Sequence, residues 1–176
     1  MLNTMIDIET YGLSTDAPIA SIGAVTFEFK DNFSIIDTFY RNVDQDSNIL
    51  INRKYDQSVM DWWESQSLEV KDTLNDNQIP VKQALIELFD WLPESLIWCQ
   101  GLDFDIPIIK SSAKACELKL PWKYNNVRCG RTILRLTEIR VKELSMKHNA
   151  LIDAIEQAEA LNNSFLLLKE KGLKIC

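Results

Sequence analysis

The sequence predicts an α/β fold, a mixed five-stranded sheet flanked by helices. Three β-like segments follow one another near the N-terminus, and two short apolar segments later alternate with stretches of helical spacing. No Gly/Ser linker, low-complexity tract or internal repeat interrupts them. The 176 residues, 46% hydrophobic and 26% charged, have the composition of an ordinary globular domain, and a single domain over residues 1–176 is expected.

Residues 4–9 form the first predicted strand, short and apolar. Residues 19–29, rich in Ile, Val and Phe, form the second. The third, residues 35–43, follows the turn signal Lys30-Asp31-Asn32. The last two are too close for a parallel crossover, so they are expected to be antiparallel neighbours. Residues 56–66 and Val81–Trp91 carry apolar residues at helical spacing, the second entered by Pro80 and closed by Pro93. A compact strand is expected at 96–99. A helix over 105–118 tolerates Pro107 in its first turn. A last short strand at 126–129 leads to a helix from Thr132 to about Ile139. The final long helix, from about Asn149, places Leu151, Ala154, Ile155, Ala158 and Leu161 on one face.

Composition also excludes several classes. No apolar run approaches the ~18 residues of a membrane span, and Met-Leu-Asn-Thr-Met-Ile-Asp lacks the pattern of a signal peptide. The four cysteines make no CxxC pair, and the single histidine argues against zinc, so a reduced cytoplasmic protein is expected. Net charge is −7, yet residues 110–147 hold ten Lys/Arg against three Asp/Glu. That segregation is either a solvated helical surface or a face for phosphates.

Three positions carry chemistry. In Met5-Ile6-Asp7-Ile8-Glu9-Thr10 a strand sends Asp7 and Glu9 to one face and Ile6 and Ile8 to the other. Paired carboxylates repel unless a hard divalent cation joins them. The alternative is a solvent-facing strand end with Glu9 or Thr10 in a turn. In Gly101-Leu102-Asp103-Phe104-Asp105, beyond a strand's carboxyl end, Asp105 is a ligand or a helix cap, with Asp103 as its competitor. In His148-Asn149-Ala150-Leu151-Ile152-Asp153, the two polar side chains meet at one site if His148 sits on the loop before the helix and Asp153 in its early turns.

The ordered set Asp7-x-Glu9, Phe104-Asp105 and His148-x4-Asp153 resembles the DEDDh class of the DnaQ-like exonuclease superfamily. Ile22-Gly23-Ala24-Val25, Trp62-Trp63 with Gln66-Ser67, Pro121-Trp122, Arg131-Thr132 and His148-Asn149-Ala150 with Gln157-Ala158 are similar to the branch containing phage exodeoxyribonuclease A. The resemblance runs from about residue 5 to 161. It implies a ribonuclease-H-like fold and a metal-dependent 3′-5′ exonuclease acting on DNA or RNA. It also implies two Mg2+ or Mn2+ ions: Asp7 bridges them, Glu9 and Asp153 complete the nucleophile side, and Asp105 serves the other ion. His148 would be the general base. Substrate contacts implied near the site are Thr10 and Leu13 at the 3′-terminal nucleotide.

Trp62 and Trp63 are candidates for base stacking, with Trp62 the leading substrate contact. Adjacent helical positions lie about 100° apart, so one of the pair is expected in the core. Arg128, Arg131, Arg135 and Arg140 stand in the basic segment, with Arg131 the leading phosphate contact. The expected partner is single-stranded nucleic acid or a 3′ overhang, with no membrane; a homo-oligomer is compatible with the sequence. Two rivals remain at this level. A haloacid-dehalogenase-type phosphatase would need Asp-x-Asp-x-Thr and leaves His148 and Asp153 unexplained. A non-catalytic nucleic-acid-binding or scaffolding module would keep the fold without turnover.

Overall fold

The computed structural model describes residues 2–141 and 148–173. At its centre β1 (Leu2–Thr10) pairs antiparallel with β2 (Ile19–Phe27) and parallel with β4 (Ser95–Cys99). β3 (Ile35–Asn42) extends the antiparallel side and β5 (Val127–Cys129) the parallel side, giving the order β3-β2-β1-β4-β5. This is the mixed five-stranded sheet that the sequence predicts. Pairing of β1 with β4 covers only Leu2 to Met5, so β1 runs on beyond its parallel neighbour. The carboxyl end of β1 therefore borders a crevice where the sheet changes from antiparallel to parallel, the usual place for an α/β ligand site.

Between β3 and β4 lie α1 (Gln45–Leu50), α2 (Gln57–Glu64), α3 (Leu68–Asn75) and α4 (Val81–Trp91). α5 (Asp105–Ala115) follows β4, α6 (Gly130–Thr137) follows β5, and α7 (Ala150–Glu170) closes the fold. α1 and α3 were not anticipated. Each is at most eight residues long, too short for a clear apolar period, although Asp44 and Ser67 cap them at backbone N–H groups. α6 starts at Gly130, two residues earlier than expected, directly from β5. A Cβ at Gly130 would lie 3.4 Å from the Cys99 carbonyl oxygen, so a small residue suits this sharp strand-to-helix turn.

Strand parity sorts the core. Ile6, Ile8, Ile22, Ala24 and Ile97 face α4 and α5, where Leu85, Leu88, Ile106 and Ile109 are buried. Met5, Val25, Phe27 and Trp98 face Ala154, Ala158 and Leu161 of α7. Asp7 and Glu9 share Met5's parity, so their carboxylates turn toward α7. The small residues of α7 let it lie close to the sheet, and Gly23 permits the closest approach. Gly23 is the β2 partner of Asp7, and a Cβ there would stand 2.1 Å from the backbone carbon of Ala150. The first turn of α7 is thus set against β2 beside Asp7.

Candidate active site

Carboxylate oxygens of Asp7, Glu9 and Asp153 all lie within 4.8 Å of one another, and all three residues are half-buried. β1 supplies two of them through its alternation. α7 supplies the third from its first turn, which Asn149 caps by accepting from the N–H groups of Leu151 and Ile152 at 3.1 and 3.2 Å. One turn later on the same face, Gln157 donates through Nε2 to Asp7 Oδ1 at 2.8 Å. Asp105 stands outside the converging trio. It is the first residue of α5, and Phe104 occupies the cap position, so Asp105 is not the N-cap. It is buried at 5% exposure, and its charge reaches Asp7 and Glu9.

The electrostatics are those of crowded acids, with the charge of Arg131 offsetting them at Asp105. Burial, then Asp105 and Glu9, raise Asp7 well above the usual carboxylate range, against the Gln157 hydrogen bond. Glu9 is pushed up to about 8 by burial and then by the charge of Asp153. The shift favours the protonated form of Glu9 beside Asp153, which burial and Glu156 raise to about 6. Burial also raises Asp105 to about 6. Its shift is held back by the backbone N–H groups of Asp105 itself, Ile8 and Gly101 and by the charge of Arg131. An all-oxygen donor set whose members repel one another fits a hard divalent cation, which would remove that repulsion.

His148 occupies the position before the Asn149 cap, with left-handed backbone at φ 62°. Its ring meets Trp62 edge-on at 4.7 Å and Trp63 at 6.1 Å between centroids. One tryptophan of the pair lies in the core and the other at the surface. Trp63 is buried and its indole N–H donates to the Thr10 carbonyl at 2.9 Å, tying α2 to the end of β1. Trp62 remains 40% exposed beside the histidine. Thr10 is buried, its hydroxyl donating to the Gly12 carbonyl, while Leu13 is exposed on the loop leaving β1. Arg131 is exposed on α6 with its guanidinium against Gly101, near Asp103 and Asp105.

Sequence reasoning omitted Gln157 from the site. The signal existed: it stands four residues after Asp153, so a helix that presents one to β1 presents both.

Comparison with known proteins places this geometry. The family model of the 3′-5′ exoribonuclease Rv2179c-like domain matches residues 2–165. An exodeoxyribonuclease of Enterobacteria phage T4 is 24% identical, over 62% of this chain and 54% of its own, so the chain spans about half the length of that curated relative. The nuclease domain of 3′hExo, a DEDDh family member bound to rAMP, superposes with a TM-score of 0.61 at 16% identity. That match covers 99% of this chain and 96% of the other. E. coli Exonuclease I in complex with an oligonucleotide gives a TM-score of 0.53 at 13% identity, over 96% of this chain and 40% of the enzyme. The fold is thus the ribonuclease-H-like fold of DEDDh nuclease domains, and the chain belongs to the Rv2179c-like 3′-5′ exoribonuclease family of DnaQ-like exonucleases.

Proposed function

We propose that this chain, acting as a single domain, hydrolyses phosphodiester bonds of single-stranded nucleic acid or 3′ overhangs from the 3′ end, releasing nucleoside monophosphates. The observation that carries the proposal is the convergence of Asp7, Glu9 and Asp153 within 4.8 Å, with the charge of Asp105 adjoining. Asp7 would serve both of two Mg2+ or Mn2+ ions, Glu9 and Asp153 the nucleophile side, and Asp105 the leaving-group side. Divalent ions bound there supply positive charge to the attacked phosphate and leaving oxygen and make water more acidic.

The chain's own groups do the rest. His148, held edge-on by Trp62, accepts the proton of the attacking water at a ring nitrogen while neutral. Gln157 fixes Asp7 from α7 and keeps its charge from turning away. Thr10 and Leu13 hold the terminal nucleotide, the exposed face of Trp62 stacks on a base, and Arg131 meets a phosphate. Free Cys99, Cys116 and Cys129 accord with a reducing cytoplasm, and among the described residues no helix is long and apolar enough to cross a membrane.

The family's description names RNA and the phage relative's name DNA, so both belong in the test. Oligonucleotides of each, 5′-labelled and single- or double-stranded, should shorten from the 3′ end with Mg2+ or Mn2+. Excess chelator should stop this. A ladder that persists in chelator, or degradation starting only at the 5′ end, overturns the proposal.

A further inference from the structure

The molecule's basic segment leads to a groove of about 790 Å3 lined by Gln100, Arg131, Arg135, Glu138 and Arg140, among others. One end adjoins the acidic cluster. A Cβ on Gly101 would lie 3.3 Å from Arg131 Nη2, and the charge of Arg131 is felt at Asp105. From there Arg131 and Arg135, four residues apart on α6, share a helix face. At Glu138 the chain turns through left-handed backbone, φ 58°, and Arg140 follows on the groove wall. None of the three arginines forms an ion pair among the described residues. Glu138 is the one acid of the lining. Three guanidinium groups against one carboxylate of the lining, Glu138, with Asp105 near Arg131, suit a chain of phosphates. The volume lies in the range that encloses one small ligand, enough for a few nucleotides of one strand and far too little for a duplex.

We propose that this groove is the track for the strand upstream of the scissile bond, with successive backbone phosphates meeting Arg131, Arg135 and Arg140. The proposal rests on the exonuclease reading of the adjoining cluster. It adds the path of the substrate and a reason for single-strand preference. Glu138 sits in that path as an opposing charge, so its removal should tighten binding.

The test uses an Asp7→Asn background, which prevents turnover, with a labelled single-stranded oligonucleotide and magnesium. Arg135→Gln/Arg140→Gln should weaken binding roughly three- to thirtyfold. It should also flatten the salt dependence by about 0.7 per arginine in log–log slope. Glu138→Gln should bind more tightly, a gain that misfolding cannot produce. The control Lys114→Gln/Lys119→Gln removes the same charge from the end of α5 and the segment after it, and should leave the slope unchanged. In the otherwise wild-type enzyme the arginine pair should raise KM for long strands, with kcat and the KM of a dinucleotide held. An unchanged slope, an equal loss in the lysine control, or weaker binding by Glu138→Gln overturns the groove. Failure of the wild-type protein to cleave any strand counts against the exonuclease reading instead, and the binding measurements still decide the groove.

Discussion

His148 owes its place to its neighbours: a left-handed backbone at φ 62°, the Asn149 cap behind it and the edge of Trp62 at 4.7 Å. Removing the imidazole should slow cleavage by roughly 10²–10⁴, the range for a positioned acid–base group. Since four carboxylates remain, manganese affinity of His148→Ala should be nearly that of the parent. Trp62→Ala keeps the imidazole but frees its ring. It should lower kcat by a smaller factor, and Trp62→Phe should restore part of it. Turnover assays with manganese titration check all three; an alanine variant of His148 with parental turnover removes it from the mechanism. At this scale strand parity put Asp7 and Glu9 on one face, and the resemblance to DEDDh exonucleases is what joined Asp105, His148 and Asp153 to them. That Trp63 is the buried one depends on where α2 lands relative to Thr10, a contact between residues 53 positions apart. Asp105 alone reads as a cap, the resemblance made it a ligand, and the start of α5 beside β1 gives it acidic neighbours.

The packing of α7 on β2 is the element that brings Asp153 and Gln157 to β1. Gly23→Ala would place a methyl group 2.1 Å from the Ala150 backbone, and backbone cannot rotate away. The helix start must shift. The expected cost is about 1–3 kcal/mol of stability. Activity should fall further than stability alone explains, because Asp153 moves with its helix. Urea unfolding and turnover measured below the unfolding transition separate the two effects; parental stability and kcat together would contradict the close approach. The long elements were readable in advance because α4, α5 and α7 bury continuous apolar faces. α1 and α3 were not, since six or eight residues give barely two turns of periodicity and their caps resemble ordinary turn chemistry.

For the molecule as a whole, the acidic cluster works against folding when no metal is bound. Asp7, Glu9, Asp105 and Asp153 all have folded values above their unfolded ones, Glu9 at about 8 and Asp105 and Asp153 at about 6. The native state then holds more protons than the unfolded chain between about pH 4 and 8. Stability is favoured below that window and lost as pH rises through it, the reverse of the usual carboxylate. Half-buried Asp16, Glu28, Asp56 and Glu87 are shifted downward and act in the opposite sense, at lower pH. Thermal midpoints in chelator should therefore fall from pH 5 to 8, and magnesium or manganese should reduce the fall. Asp7→Asn in chelator should raise the midpoint most at the alkaline end while abolishing cleavage. A midpoint that climbs with pH in chelator, or an Asp7→Asn protein less stable than its parent at the alkaline end, contradicts this account.

The hydrogen bond from Gln157 to Asp7 spans 150 positions of sequence. The meander of β1, β2 and β3 holds only two of the acids. Asp105 arrives with α5, and His148 and Asp153 only with the start of α7. A nascent chain is thus unable to assemble the proposed cutting centre until more than four-fifths of these residues have been made. The separation makes the cluster depend on the whole fold: an opening of α7 alone would withdraw Asp153 and Gln157 from β1 and dismantle it.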